Sequence, residues 1–232
     1  MAQQTEAPQR VRLSRDRVLR AAVVLADQTG IEGLSMRHLA QELGVVPMAL
    51  YKHVASKEDL LDGMVDIVFS EIDFPSRGAD WRTAMRERAT STREALLRHR
   101  WANGLMESRT RPGPANLRYH NSVMACLREA GFSFDMAVHA YSALDSYTYG
   151  FALQEKTLPF ETPEESAQVA EMMLDQLPPL LAEEYPYLVE VVAELGKSGY
   201  DYAKEFEFAL DLILDGIERL PRQDVTPTGG RS

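Results

Sequence analysis

The side chains whose types and spacing could do chemistry are concentrated between Ser35 and Lys57, where two short helical patterns flank a glycine. In the second pattern, Val45 and Leu50 take the apolar positions that would pin it to the first, so the other side chains are predicted to face outward. These outward positions are Met48, Ala49, Tyr51, Lys52 and His53. A short helix with hydrogen-bonding, cationic and small apolar groups suits the major groove of DNA. The stretch is therefore predicted to be a helix-turn-helix, although helix–glycine–helix pieces also occur in domains that bind no nucleic acid.

The turn inside this stretch carries its own signals. Ser35 stands where a hydroxyl can accept a hydrogen bond from a free backbone N–H of the first helix. Gly44 follows the last apolar position of that helix, where a chain often needs a positive φ. The two residues predict where the first helix begins and ends.

Enzyme chemistry has weaker support. The chain has no glycine-rich phosphate loop and no HExxH or GxSxG motif. The candidates for a metal cluster are His99, His120, His139, Glu107 and Asp145. No two of these histidines lie one helical turn apart, which argues against a metal site. We predict no catalytic residue, no metal and no cofactor.

Composition limits the class of protein. A chain of 232 residues, 45% hydrophobic and 26% charged, can form one large or two modest domains. The single Cys126 excludes an internal disulfide, and without a signal peptide the chain is expected in the cytoplasm. No apolar run approaches the length of a membrane span, so no membrane partner is expected.

The net charge of −10 is unevenly distributed. Between Pro8 and Lys57 there are eight basic and four acidic residues, whereas between Glu161 and Leu220 only three residues are basic among many acids. This asymmetry favours contact with DNA through the N-terminal part and repulsion of DNA by the rest.

Helical periodicity continues along the chain and no strand pattern persists, so the fold is predicted to be all-α. A break at Pro75–Gly78 separates a three-helix helix-turn-helix domain with a linking fourth helix, residues 13–74, from a larger helical bundle, residues 79–221. Residues 1–12 and 222–232 are expected to be a flexible arm and a flexible tail. Pro178 and Pro179 are predicted to break the chain after a helix that ends near Gln176.

The last helix, Tyr200 to Leu220, carries an apolar seam. Its members are Phe206, Leu210, Ile213, Ile217 and Leu220, at spacings of four, three, four and three. Further apolar residues beside this seam exceed what one core face needs, so part of the helix is predicted to pair with a second copy as a four-helix interface. The alternative is a terminal helix sunk in its own core.

The sequence from Leu13 to Leu61 resembles the DNA-binding domain of the TetR family of bacterial transcriptional repressors. The matching features are TGIEGLS, LAQELGV, LYKHV and SKEDLL. Further along, WRTAMRERATSTREALLRHR, the TRP of Thr110–Pro112, LREAGFS and ALDSYTYGFALQE resemble the ligand-binding domain of the tetracycline repressor branch, and the resemblance fades after about Thr157. It implies a homodimer that binds a palindromic DNA operator.

The resemblance also implies roles in DNA binding. Ser35 and Arg37 fall where the family contacts phosphates or base edges, and Met48 and Ala49 fall at base-reading positions. Tyr51, His53 and Lys57 fall where the family anchors the DNA backbone. Pro47 replaces a base-reading glutamine of the tetracycline repressor, so the operator sequence should differ. Tyr51 could instead be a packing residue and Arg37 a solvated charge.

The larger helical bundle, by the same resemblance, is expected to hold a small-molecule effector. The matching positions are Asp73, Arg88, Thr92, Glu107, Thr110, His120, Val123, Tyr141, Asp145 and Gln154. Glu107 stands where tetracycline repressors have a metal-binding histidine, so a tetracycline–magnesium chelate is not expected. Glu107 and Asp145 offer negative charge, and flat aromatic surface is offered by Trp101, Tyr119, Tyr141, Tyr147, Tyr149 and Phe151. This mix would tolerate a planar or cationic compound.

The function expected from the resemblance is a ligand-responsive transcriptional regulator, with repression favoured over activation. Effector binding would shift the fourth helix, change the separation of the two helix-turn-helix domains (the DNA-binding heads) of the dimer and release the operator. The competing hypothesis is an acidic helical ligand carrier or enzyme with a vestigial DNA-binding head.

Overall fold

The computed structural model describes residues 12–221, without the side chains of residues 179, 181 and 182. The arm predicted at residues 1–12 and the tail at 222–232 therefore lie outside the described residues, except for Arg12. The described part is all-α, with twelve helices and no β-strand. The helices are α1 Arg15–Gly33, α2 Met36–Glu42, α3 Pro47–Leu50, α4 Lys57–Ser70, α5 Trp81–Arg98, α6 Asn103–Ser108, α7 Pro114–Glu129, α8 Phe134–Thr157, α9 Pro163–Asp175, α10 Pro179–Glu184, α11 Pro186–Ser198 and α12 Tyr202–Glu218. The all-α prediction is confirmed.

The helices group into two compact units. The first contains the described part of Met1–Phe74 together with Glu94–Ser122, and the second contains Pro75–Arg93 together with the described part of Val123–Ser232. The division falls within α5 and α7. The linear domain boundary at Pro75–Gly78 stays a prediction.

In the first unit, α1 packs on α4 and α2 packs on α3. Val18, Leu39 and Leu60 are fully buried, as helical spacing predicts for apolar positions on amphipathic helices. Serine hydroxyls cap three of these helices: those of Ser14, Ser35 and Ser56 each accept a hydrogen bond from a first-turn backbone N–H. Local sequence signals thus determine where these helices begin.

Gly44 forms the turn between α2 and α3. Its φ is +65°, in the left-handed region, and a Cβ at this position would meet nothing within 4 Å. The glycine is therefore required by the backbone conformation rather than by space.

Gly44→Ala is expected to lower the free energy of unfolding by about 1–2 kcal/mol, because a Cβ disfavours the left-handed conformation. Urea denaturation would measure it. Gly44→Asn is the matched control and should lose less, since asparagine tolerates this conformation. Equal losses in the two variants would contradict the conformational explanation.

In the second unit, α8 packs on α12 and α9 packs on α11. Leu144 of α8 and Leu210 and Leu214 of α12 are fully buried. The sequence expectation for the region after α9 was incomplete: α9 ends at Asp175, but Pro179 opens a further short helix instead of only breaking one. Proline is compatible with a first helical turn, because the N–H it lacks has no intrahelical partner there. Within residues 12–221, no helix is long and apolar enough to cross a membrane.

Candidate functional site

Helix α3 and the turn that follows it present an exposed face of mixed chemistry over residues 47–53. Met48 and Tyr51 are 72% and 45% exposed, whereas Leu50 between them is fully buried. The remaining members of the predicted outward set are Lys52, which is exposed, and Ala49 and His53, which are half-buried. The face combines a cation, a phenol and apolar surface, and a DNA major groove offers phosphates, base edges and thymine methyl groups to match them.

The other predicted DNA contacts lie at the beginnings of two helices. The Ser35 hydroxyl accepts from the backbone N–H of His38 at 3.1 Å, so it is the N-cap of α2. Arg37 and Lys57, in the first turns of α2 and α4, are both exposed. All three side chains are open to solvent in the first unit, and their contacts with DNA stay predictions.

Arg15 and Asp59 bind the segment that follows α3, residues 53–55, through contacts that sequence reasoning missed. The Arg15 guanidinium donates to both oxygens of the Asp59 carboxylate, at 2.8 and 2.7 Å, and to the carbonyl of His53 at 2.9 Å. The hydrogen bond from Arg15 lowers the pKa of Asp59 to about 2. The Asp59 carboxylate also accepts from the backbone N–H of Ala55 at 2.8 Å. The sequence signal was present, because Asp59 stands in a capping-box pattern with Ser56, but its long-range partner was not visible.

The predicted effector residues divide between the two units. Those in the first unit are Trp101, which is buried, Glu107 and Thr110, which are exposed, and His120, which is half-buried. Trp101 donates its indole N–H to Asp27 at 2.7 Å, and the His120 ring lies against the rings of Phe69 and Tyr119. The grouping of these residues with those of the second unit into one effector pocket stays a prediction.

In the second unit, Asp145 already has a buried partner. Its carboxylate accepts from the guanidinium of Arg88, and the two side chains are 11% and 2% exposed. The Arg88 guanidinium also lies over the ring of Tyr141, 5.4 Å from its centre. The negative charge of Asp145 is therefore balanced within the protein, which removes the support it offered for a cationic effector. The other two predicted effector residues of this unit are Val123, which is fully buried, and Gln154, which is exposed.

The structure corrects the prediction that the apolar seam of α12 forms the dimer interface. Phe206, Leu210 and Ile217 are at most 5% exposed in the single chain, so they form the core of their own unit, and Ile213 is half-buried. Tyr147 of α8 stacks on Phe206 at 5.3 Å between ring centres and donates its hydroxyl to the Phe206 carbonyl at 2.8 Å. Residues buried in this way cannot bind a second copy.

The apolar surface that α12 leaves exposed lies elsewhere on the helix. Phe208 and Leu212, one turn apart, are 64% and 59% exposed. Val138 and Leu153 of α8 are exposed as well. Any self-association through α8 and α12 is therefore better assigned to these residues than to the predicted seam.

Metal chemistry finds no support in the part of the chain that the structure describes, where no group of three or more histidine, cysteine, aspartate or glutamate side chains could hold a metal ion. The single thiol, Cys126, is buried, and burial raises its pKa. A buried thiol with a raised pKa is a poor nucleophile.

Family models match both parts of the chain. Residues 18–64 match the model of bacterial regulatory proteins of the tetR family, and residues 74–220 match the model of the tetracyclin repressor-like C-terminal domain.

Individual proteins agree with these matches. The chain is 34% identical to the HTH-type transcriptional repressor DrrR1 of Streptomyces coeruleorubidus, over 91% of this chain and 79% of that protein. It is 31% identical to the class A tetracycline repressor of transposon 1721 from Escherichia coli, over 90% of this chain and 92% of that protein. Among solved structures, it is similar to the TetR family protein ActR of Streptomyces coelicolor in complex with actinorhodin, with a TM-score of 0.72, 29% identity, and coverage of 90% of this chain and 98% of that chain.

Proposed function

The chain belongs to the TetR family of bacterial regulatory proteins and is a ligand-responsive transcriptional repressor, and we propose that it binds a palindromic operator as a homodimer and leaves it when an aromatic effector binds. The observation that carries the DNA-binding part is the exposed face of α3 and the turn after it, where a cation and a phenol lie beside apolar surface. The relatives named above are transcriptional regulators and not enzymes, so the hypothesis of an enzyme with a vestigial head is not favoured.

The apolar start of α3 indicates how the operator is read. Val46, Pro47 and Met48 are three consecutive exposed residues with no polar side-chain atom that could bind a base edge strongly. The C5 methyl group of thymine is the apolar feature of the major groove. We propose that this segment reads thymine methyl groups within each half-site.

Replacing the contacted thymines by uracil should weaken binding by about threefold to fourfold for each methyl lost, since burial of one methyl-sized group contributes about 0.8 kcal/mol. Fluorescence anisotropy with duplexes that differ only in these methyl groups would measure the loss. Uracil placed outside the half-sites is the control. Unchanged affinity for every uracil-containing half-site would rule out methyl reading while leaving operator binding itself intact.

A homodimer is supported by the apolar residues that α8 and α12 leave exposed. Phe208 and Leu212 are mostly exposed in the single chain. Association with a second copy would remove their apolar surface from water, which is favourable. Two helices from each of two copies make a four-helix interface with two-fold symmetry. Such a dimer would present two α3 helices about 34 Å apart, one turn of DNA, which calls for a palindromic operator.

Transmission from effector to DNA is proposed to pass through α4. Just after α6, the Arg109 guanidinium donates to Asp62 at 2.6 Å and to Glu58 at 2.7 Å. The backbone N–H of Asn116, in the first turn of α7, donates to the Asp66 carboxylate at 2.9 Å. Three carboxylates of α4 are thus bound by residues 109–116, so a displacement of that segment would pull directly on α4. A coupling of about 1–3 kcal/mol between effector and operator is typical of such systems.

The experiment that tests this function is selection of bound fragments from the source genome with the purified full-length protein. The expected result is a palindromic sequence, bound by a dimer and with an affinity that falls steeply with salt. Addition of aromatic compounds, both neutral and charged, should then identify an effector that raises the melting temperature and releases the fragment. A monomer that enriches no sequence at low salt would refute the proposal.

A further inference from the structure

His99 lies between two carboxylates in the first unit, outside the residues that the proposed function uses. Its Nδ1 is 2.8 Å from Oδ1 of Asp27, and its Nε2 is 3.0 Å from Oε2 of Glu71. The imidazole is only 7% exposed. Asp27 belongs to α1 and Glu71 is the C-cap of α4, so the histidine joins two helices of the DNA-binding head. We call Asp27, His99 and Glu71 the clasp.

The number of donors in the clasp depends on the protonation state of His99. Ionised carboxylates only accept hydrogen bonds, and a neutral imidazole has a single N–H. A neutral ring would therefore leave one nitrogen lone pair facing a carboxylate oxygen at about hydrogen-bond distance, which is repulsive. Both contacts are favourable only when the ring is an imidazolium that donates from each nitrogen.

We propose that the clasp is a proton-dependent device: protonated His99 ties α1 to the C-terminal end of α4, and loss of that proton at rising pH loosens the head and weakens DNA binding. The sign follows from the donors. The stabilising form is the protonated one, so its contribution is present at low pH and is lost as the pH rises. Histidine is the side chain whose charge ordinarily changes near neutral pH.

Further hydrogen-bonding and charged groups surround His99. The Trp101 indole N–H donates to Asp27 at 2.7 Å, and the Arg98 guanidinium donates to Glu71 at 3.2 Å. Arg20 on α1 interacts electrostatically with Glu71. Burial raises the pKa of Glu71, but its hydrogen bonds and charge interactions with His99 and Arg98 outweigh burial, so the pKa lies below its usual value. Glu71 therefore remains charged near neutral pH, and the change of charge in the clasp is assigned to His99.

Glu71→Gln is the variant that separates this device from an ordinary structural contact. A glutamine amide can donate to the lone pair of a neutral Nε2, while Nδ1–H donates to Asp27. The bridge would then survive deprotonation. The melting temperature of the natural protein is expected to fall by roughly 5 °C more than that of Glu71→Gln between about pH 6 and pH 9, as loss of one charge-assisted hydrogen bond predicts. Other titrating groups act alike in both proteins and cancel in the difference.

Three further measurements complete the test. The ¹⁵N shifts of the His99 ring should show both nitrogens protonated at pH 6. His99→Gln should have a lower melting temperature than the natural protein at pH 6, and the difference between its melting temperature and that of Glu71→Gln should not change with pH. Operator affinity, which rests on the proposed function, should fall about tenfold more in the natural protein than in Glu71→Gln over the same pH range. Parallel pH profiles of the two proteins, or a neutral His99 ring at pH 6, would overturn the clasp. Failure to bind any operator at any pH would count against the proposed function alone, because the thermal and ¹⁵N measurements need no DNA.

Discussion

Met48→Asp is expected to weaken operator binding by about a hundredfold or more while leaving the melting temperature unchanged. Met48 is 72% exposed, so the substitution removes little packing within the first unit. On the DNA, the carboxylate would replace apolar contact with a charge that the phosphates repel. Loss of one base contact typically weakens binding by about 1–3 kcal/mol, and in a homodimer both half-sites lose it. Fluorescence anisotropy with the selected operator would measure the change.

Val24→Asp is the matched control for this variant. Val24 lies on α1 in the same unit and is 54% exposed, so the substitution adds the same charge at a similarly exposed position on another helix. The operator affinity of this variant should stay within about threefold of that of the natural protein, since a surface charge outside the contacted face is largely screened by salt. Equal losses for both variants would mean that net charge, and not the surface of α3, determines binding.

Asp145→Ala is expected to lower the free energy of unfolding by about 3–5 kcal/mol, because it leaves the buried Arg88 guanidinium without its carboxylate. The penalty arises from the uncompensated charge rather than from the lost volume. Urea denaturation monitored by tryptophan fluorescence and by circular dichroism would measure it.

The double variant Arg88→Met with Asp145→Leu is the control for this explanation. Replacing both charges by apolar side chains of similar size should recover most of the lost stability, since a buried ion pair and a packed apolar pair are often nearly equivalent. A double variant as unstable as Asp145→Ala would contradict the explanation. The single variant also bears on effector binding, because a compound that relied on Asp145 would have to displace Arg88 from it.

Much of the helix-turn-helix could be predicted from sequence because its signals are local. The hydroxyl of Ser35, the glycine at position 44 and the apolar Leu50 each act within a few residues of chain, and the structure shows the expected cap, positive φ and burial. The bounds of the longer helices follow from the same short-range rules. The last helix, predicted from Tyr200 to Leu220, is observed from Tyr202 to Glu218, so each end differs by two residues.

The face that α12 turns to its own core could not be predicted in this way. The helix has apolar residues on two sides, and periodicity shows that both exist without showing which one meets α8. Only the packing of Phe206 and Leu210 in the second unit leaves Phe208 and Leu212 as the exposed pair.

The sequence by itself therefore determined the helical class, the family and the residues that α3 exposes, because short-range periodicity, caps and turn residues encode them. Tertiary structure alone decided which charges are balanced. Asp145 meets Arg88 across 57 positions, and His99 meets Asp27 across 72, and neither pairing leaves a trace in local spacing. The physical reason is that a charge has no periodicity: its partner depends on which helices pack together, and that packing is settled by the apolar core around it.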